Sequence, residues 1–160
     1  MPRITVVYDS RGGFTEKMAK AVVEGAKNVK NVEVELLKAG TPFSVSKLDV
    51  ADGIILGSPT IYGSVTQEMR NILTSLREHK EAGRLKLKGK VGGVFGSYGW
   101  DGGWVTDKLD SDMNDLGIKV VAPAVSAVHE QYDTSPIDEK TLQKCRNLGK
   151  VIAEKVTGKT

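Results

Sequence analysis

The chain has 160 residues, of which 39% are hydrophobic and 27% are charged. This balance fits one globular domain over residues 1–160 with a single sizeable core, and it argues against a disordered chain or two domains. The net charge of +3 comes from interspersed acidic and basic residues, so we expect no nucleic-acid partner. Because no stretch approaches the roughly 18 apolar residues of a membrane span, and no signal-peptide core follows Met1, we expect a soluble, cytoplasmic protein.

Short β-branched runs alternate with amphipathic stretches along the whole chain, which predicts a repeated strand–helix order. The predicted strands cover residues 3–8, 32–37, 52–57, 90–96 and 118–125. The predicted helices cover residues 15–27, 66–78, 104–116 and 138–156. The third of these helices stops at Gly117, and the last begins shortly after Pro136.

Five strands joined by helical crossovers predict an α/β fold, a doubly wound five-stranded parallel sheet in three α/β/α layers. In such sheets ligands bind beyond the C-terminal ends of the strands, where the strand order reverses. Three segments lie there: loop one is residues 9–15, loop two is residues 58–64 and loop three is residues 97–104.

Loop one, with the sequence DSRGGFT, has the composition of a phosphate-binding turn. Its adjacent glycines let successive N–H groups point inward, Ser10 and Thr15 add hydroxyls, and the start of a helix adds partial positive charge. It lacks both G-x-x-x-x-G-K-[ST] and G-x-G-x-x-G, so a nucleoside triphosphatase or a dinucleotide-binding fold is not indicated. The alternative is a polar turn in which Thr15 caps the helix.

Loops two and three combine aromatic residues with glycine, as SPTIYGS and SYGWDGGW. Exposed tryptophan and tyrosine usually cover a flat apolar group or an interface. Together with the phosphate turn they predict a pocket for a phosphorylated planar ring, whereas ordinary loop packing is the alternative for either loop alone. We expect Trp104 to be the first core residue of its helix; the alternative, a subunit interface, leaves a homo-oligomer open.

At these residues the sequence resembles the flavodoxin-like family. The spacing of Ser10, Gly13 and Thr15 is similar to the family's FMN phosphate loop, and loops two and three are similar to its two isoalloxazine loops. The resemblance spans the chain and is strongest to the flavodoxin domain of A-type flavoproteins (flavodiiron proteins), in GSPT at 57–60, FGSYGW at 95–100 and LxxCxxLG at 142–149. It implies the sheet order 2-1-3-4-5.

The resemblance implies that FMN is the cofactor. The implied phosphate-binding residues are Ser10, Arg11, Gly12, Gly13, Phe14 and Thr15. The ring would lie between loops two and three, where the implied binding residues are Pro59, Thr60, Ile61, Tyr62, Gly63, Ser97, Tyr98, Gly99, Trp100, Gly102 and Gly103. Among these, Tyr62 and Trp100 are the expected stacking partners.

Two residues depart from the family's usual loop. Phe14 stands where that loop often has asparagine, which removes a side-chain hydrogen bond. Arg11 adds a positive charge, and it either turns inward to the phosphate or points to solvent. In loop two, the peptide joining Tyr62 to Gly63 is the candidate for a backbone rotation that follows the redox state of the flavin.

Two functions remain open. The first is an electron carrier between protein partners, with a reductase or ferredoxin as donor and an unidentified acceptor. The second is an NAD(P)H-dependent quinone or flavin reductase, which the segment SPTIYGSVTQEM and the residues His129 and Tyr132 suggest. We predict no catalytic residue, and we expect His129 to be an ordinary surface histidine. A scaffold that binds no FMN is disfavoured by the three loops.

Metal and thiol chemistry is not expected of this polypeptide. It has only two histidines, far fewer than a diiron site needs, so we expect no reduction of oxygen or nitric oxide by this chain alone. The single cysteine, Cys145, cannot form an internal disulfide or a thiolate cluster. Beside Leu142 and Leu148 on the last helix, we expect it to be a buried apolar side chain.

Overall fold

The computed structural model describes residues 1–99, 103–129 and 136–158. Strands and helices alternate along this part of the chain, as the sequence predicts. In chain order they are β1 (Arg3–Tyr8), α1 (Phe14–Lys27), β2 (Glu33–Lys38), α2 (Ser46–Asp49), β3 (Gly53–Pro59), α3 (Gln67–Glu81), β4 (Val91–Tyr98), α4 (Val105–Asp115), β5 (Lys119–Val120), β6 (Val125–Val128) and α5 (Glu139–Thr157). The short helix α2 was not predicted; its one buried residue is Leu48.

The strands form a parallel sheet in the order β2-β1-β3-β4-β5, and β6 pairs with β4 further along. The chain leaves β1 toward one edge to form β2 and then crosses back to form β3, so the strand order reverses between β1 and β3. The α/β fold class and the order 2-1-3-4-5 are therefore confirmed. The reversal puts the candidate ligand edge at the C-terminal ends of β1, β3 and β4.

The fifth position in the sheet is filled by two short strands, and the prediction of one continuous strand over residues 118–125 is wrong. β5 pairs with the start of β4, where Lys119 lies opposite Val91, and β6 pairs with its end, where Val125 lies opposite Phe95. Pro123 lies between the two strands and has no N–H to donate to β4. The ladder therefore breaks at the proline and resumes after it.

Two apolar layers cover the two faces of the sheet. On one face, α1 and α5 pack against strand residues that include Ile55 and Phe95. On the other, α3 and α4 pack against strand residues that include Leu56 and Val94. Neighbouring residues of one strand thus enter opposite layers, as the two-residue repeat of a strand requires.

Cys145 is fully buried in the layer formed by α1 and α5. Burial raises the pKa of its thiol to about 12, so the thiolate that a nucleophile needs is scarce at neutral pH. The prediction of a buried apolar role for Cys145 is confirmed. Separately, no helix in the described part of the chain is long and apolar enough to cross a membrane.

Helices α1 and α5 make backbone contact because a glycine from each lies where they cross. A Cβ on Gly25 would lie 1.9 Å from the carbonyl oxygen of Arg146, and a Cβ on Gly149 would lie 1.9 Å from that of Val22. Neither carbonyl can move aside without moving its helix. The glycine at the end of the LxxCxxLG motif therefore sets the distance between two helices.

We expect Gly149→Ala to destabilise the protein by at least about 1–3 kcal/mol, the usual cost of overpacking a core. In a helix without such a neighbour, alanine would instead be favoured over glycine by about 1 kcal/mol. Urea unfolding of the cofactor-free protein measures the change. Lys150→Ala, at the next and exposed position of α5, is the matched control and should stay close to wild type. A Gly149→Ala variant as stable as wild type would contradict the close crossing.

Candidate cofactor site at the C-terminal edge of the sheet

The three loops lie together at this edge, and hydrogen bonds to Ser97 join them. The hydroxyl oxygens of Thr15 in loop one and Ser97 in loop three are 2.9 Å apart. The backbone N–H and the hydroxyl of Thr60 in loop two both donate to the carbonyl of Ser97, at 2.8 and 2.9 Å. All three residues are buried. Ser97 is thus the common attachment point of loops one and two.

Loop one folds as a tight turn at the start of α1. The hydroxyl of Ser10 accepts a hydrogen bond from the N–H of Gly13 at 3.0 Å. Gly13 is the N-cap of α1 and has a φ of +109°, a conformation that favours glycine. No described atom lies within 4 Å of the place where its Cβ would be. An anion can therefore approach the backbone at the positive end of a 14-residue helix.

Thr15 does not cap α1, so the alternative that explained loop one by capping is wrong. The helix begins at Phe14, and its N-cap is Gly13, which has no side chain to cap it. The hydroxyl of Thr15 instead reaches Ser97. Its role in the structure is to hold loop one against loop three.

Arg11 is exposed and forms an ion pair with a residue of another element. Its guanidinium lies 2.7 Å from a carboxylate oxygen of Glu68, in the first turn of α3. Both side chains are partly exposed, so the pair adds little to the stability of the fold. The ion pair nevertheless connects loop one to the helix that follows loop two.

Loop two ends in a tight two-residue turn. Ile61 and Ser64 pair in antiparallel fashion through two N–H···O=C bonds of 2.8 and 3.0 Å. Between them, Tyr62 and Gly63 have φ values of +49° and +78°, the left-handed pair of a type I′ turn. The side chain of Tyr62 is 97% exposed. A strained backbone therefore presents an aromatic ring at the tip of the loop.

Loop three brings a second aromatic side chain beside this turn. Trp104 is 59% exposed, and its indole nitrogen lies 3.9 Å from the place where a Cβ of Gly63 would be. The expectation that Trp104 is a core residue is wrong, because the fully buried Val105 fills that position. Gly103 has a φ of +85° and packs on the ring of Tyr98.

The other predicted binding residues differ in how accessible they are, and some of them lie outside the described residues. Pro59 and Thr60 are buried, whereas Ile61, Gly63 and Gly99 are partly accessible. The predicted residues Trp100 and Gly102, and the loop residue Tyr132, lie outside the described residues.

Tyr8, at the end of β1, braces the first turn of α1. Its hydroxyl donates a hydrogen bond of 2.8 Å to the carboxylate of Glu16. Burial, followed by this hydrogen bond, raises the pKa of Tyr8 to about 12. The same bond is the main reason that the pKa of Glu16 is lowered. This hydrogen bond joins the end of β1 to the first turn of α1, on the two sides of loop one.

Two buried polar atoms at this edge have no hydrogen-bond partner among the described residues. They are Oδ2 of Asp9 and Nδ1 of His129. Asp9 is 4% exposed and His129 is 7% exposed. The expectation that His129 lies on the surface is therefore wrong: its ring packs edge-on against Phe14, with centroids 5.6 Å apart. Asp9 was not among the predicted site residues, although its position directly after β1 was a signal.

Across residues 1–99, 103–129 and 136–158, no group of three or more histidine, cysteine, aspartate or glutamate residues is placed to hold a metal ion. The described residues at this edge offer backbone N–H groups, hydroxyls, the carboxyl group of Asp9 and exposed aromatic rings. This set suits an organic ligand with a phosphate at one end and a flat ring at the other.

We expect Tyr8→Phe to change how stability depends on pH above pH 10. The unfolded chain loses the Tyr8 proton near pH 10, whereas the folded chain keeps it to about pH 12, so Tyr8 makes stability fall as the pH rises across this window. Urea midpoints measured between pH 9 and 12 should therefore fall less steeply in the variant than in wild type. Glu16→Gln should have a smaller effect, since burial, the larger cause, remains. If the urea midpoints of wild type and Tyr8→Phe fell equally steeply between pH 9 and 12, the raised pKa of Tyr8 would be contradicted.

Comparison with known proteins agrees with the geometry. The family model described as flavodoxin matches residues 6–146. A flavodoxin of Clostridium saccharobutylicum is 30% identical over 96% of this chain and 97% of its own length. A solved flavodoxin from the domain Archaea is 31% identical, with a TM-score of 0.80 over 97% of this chain and 99% of that one.

Longer proteins also contain a similar segment. The type A flavoprotein of Rhodobacter capsulatus is 30% identical over 98% of this chain, which spans only 34% of that protein. The anaerobic nitric oxide reductase flavorubredoxin of Aliivibrio salmonicida is 33% identical over 95% of this chain, which spans 28% of it. The resemblance to flavodoxins and to type A flavoproteins is confirmed. This chain belongs to the flavodoxin family, whose cofactor is FMN.

Proposed function

We propose that this chain binds FMN between loops one, two and three and carries electrons between protein partners. The observation that supports this most directly is the attachment of all three loops to one another through Ser97, at the ends of three adjacent parallel strands. When bound, FMN supplies the redox chemistry that the side chains lack. The protein's own contribution is to bind it, orient it and control access to it.

Loop one fits the phosphate group. The turn at Gly13 leaves backbone accessible at the N-terminus of α1, where N–H groups and the helix dipole favour an anion. The proposed phosphate-binding residues remain Ser10, Arg11, Gly12, Gly13, Phe14 and Thr15. Because the side chain of Phe14 is buried against His129, its backbone is the part that faces the ligand in this proposal.

Loops two and three fit a flat ring. Tyr62 and Trp104 both expose aromatic surface at the Tyr62–Gly63 turn, and covering that surface with a ring would be favourable by roughly 25 cal/mol per Å². We therefore add Trp104 to the proposed ring contacts and keep Tyr62 and Trp100. In this proposal the buried Pro59, Thr60 and Ser97 position the backbone, and Ile61, Gly63, Tyr98, Gly99, Gly102 and Gly103 line the site.

An electron-carrier function fits this edge of the sheet, because the aromatic rim formed by Tyr62 and Trp104 lies at the protein surface, where a redox partner can approach. We propose a reductase or ferredoxin as the donor and leave the acceptor open. The rotation proposed for the Tyr62–Gly63 peptide would take place in this rim, at residues that already have left-handed backbone.

The carrier is separated from a pyridine-nucleotide-dependent reductase by one anaerobic experiment. The FMN-loaded protein is mixed with NADH or NADPH, and the flavin absorbance near 450 nm is followed. We expect no rapid bleaching by either nucleotide but full bleaching by dithionite, because a carrier takes electrons from a protein. Bleaching within seconds by NADH or NADPH would favour the reductase function instead.

Gly13→Ala is expected to weaken FMN binding on the order of 10- to 100-fold, the effect of losing charge-assisted hydrogen bonds. The new Cβ would occupy the open space beside loop one, and the φ of +109° would be strained. Gly83→Ala is a matched control: Gly83 also has a positive φ, of +76°, and open space around its Cβ, but it follows α3 away from the loops.

The measurement for this pair is quenching of flavin fluorescence, with FMN and riboflavin as ligands. Riboflavin has no phosphate, so its binding should change less than that of FMN in Gly13→Ala. Equal losses of FMN affinity in the two glycine variants would show that strain, and not the phosphate contact, is responsible.

A further inference from the structure

In the part of the chain that the structure describes, only one of the two carboxyl oxygens of Asp9 has a hydrogen-bond partner. Its Oδ1 accepts a hydrogen bond from the N–H of Ser10 at 2.9 Å. Its Oδ2 has no partner in the described part of the chain, although the residue is 4% exposed. A buried carboxyl oxygen without a donor destabilises the protein, and native proteins almost always satisfy such atoms. The missing donor is therefore expected to come from a ligand.

The position of Asp9 indicates which part of a ligand lies near it. Its backbone N–H donates to the carbonyl of Gly57 at 3.0 Å, so Asp9 lies where β1 meets β3. Loop one continues from β1 on one side of this boundary, and loop two continues from β3 on the other. A ligand with its phosphate at loop one and its ring at loops two and three must cross the boundary with the chain that links them.

The chemistry of that linker matches the missing donor. In FMN the phosphate and the ring are joined by a polyol chain whose secondary hydroxyls can each donate a hydrogen bond. The phosphate offers only acceptor oxygens and negative charge in its dianionic form, and it would be repelled by a carboxylate. Of the parts of the ligand that can reach this boundary, a hydroxyl is therefore the partner that Oδ2 can use.

We propose that Asp9 is a specificity residue that accepts a hydrogen bond from a secondary hydroxyl of the FMN polyol chain. This inference rests on the proposed function, since it assumes that FMN occupies the three loops. Asp9 then distinguishes ligands by the linker, independently of the phosphate contacts of loop one. An analogue that keeps ring and phosphate but lacks the hydroxyls would leave Oδ2 unpaired.

The test compares FMN with a flavin that carries a phosphopentyl chain in place of the phosphoribityl chain. Dissociation constants are measured by quenching of flavin fluorescence. Wild-type protein should prefer FMN on the order of 10- to 100-fold, the usual effect of a hydrogen bond to a charged group. In Asp9→Asn, which keeps an oxygen for Ser10 and replaces Oδ2 with an amide nitrogen, this preference should shrink, mainly through weaker FMN binding.

Asp52→Asn is the matched control. Asp52 also lies at a strand end and accepts a backbone hydrogen bond, from Arg3 at 2.9 Å, but at the opposite edge of the sheet. The Asp52→Asn variant should prefer FMN over the phosphopentyl flavin by the same factor as wild type. Asp9→Ala serves as a second variant, because it removes both oxygens and covers the case in which the asparagine amide pairs with the hydroxyl. Thermal unfolding without flavin confirms that each variant is folded.

The possible outcomes separate the two proposals. Equal affinity of wild-type protein for the two flavins overturns the role of Asp9, even if neither variant folds. So does an unchanged preference in both folded Asp9 variants, or a loss of affinity by the same factor for both ligands. If wild-type protein binds neither flavin, the proposed FMN site itself is wrong.

Discussion

The site depends on the hydrogen bonds of one buried residue, Ser97. Its side chain bonds the hydroxyl of Thr15, and its carbonyl accepts both hydrogen bonds from Thr60. Since Ser97 is fully buried, water does not compete for these bonds, which makes them stronger than they would be at the surface. Ser97 is also paired with Pro59 in the sheet. The register of β3 and β4 therefore determines the relative positions of the loops.

Glycine has two separate roles in this molecule. In loops one and two it permits left-handed backbone, at Gly13 and Gly63. In the layers around the sheet it makes room for neighbours: a Cβ on Gly57 would lie 2.1 Å from the ring of Phe95, and the pair Gly25 and Gly149 lets two helices touch. The sequence contains 18 glycines, and their number cannot separate these roles, because only the packed structure shows what each missing Cβ would meet.

The order of strands and helices and the three loops could be predicted from the sequence, because hydrophobic periodicity and glycine-rich strand ends are local signals. Two kinds of feature were not predicted: contacts between residues distant in sequence, and the interruption of the last strand. Arg11 pairs with Glu68, and Trp104 lies beside Gly63, which no local pattern encodes. The break between β5 and β6 did have a local signal, because Pro123 has no N–H for the ladder. The apolar residues on both sides of Pro123 nevertheless favoured one continuous strand in the prediction.

The turn at Tyr62 illustrates how such a site differs from the rest of the fold. A left-handed tyrosine with an almost fully exposed ring gains nothing from the hydrophobic effect and loses free energy to backbone strain. Selection for stability alone would place glycine or asparagine there. That tyrosine occupies the position indicates selection for what the ring does in contact with another molecule, so the tip of loop two is a place where stability and function oppose each other.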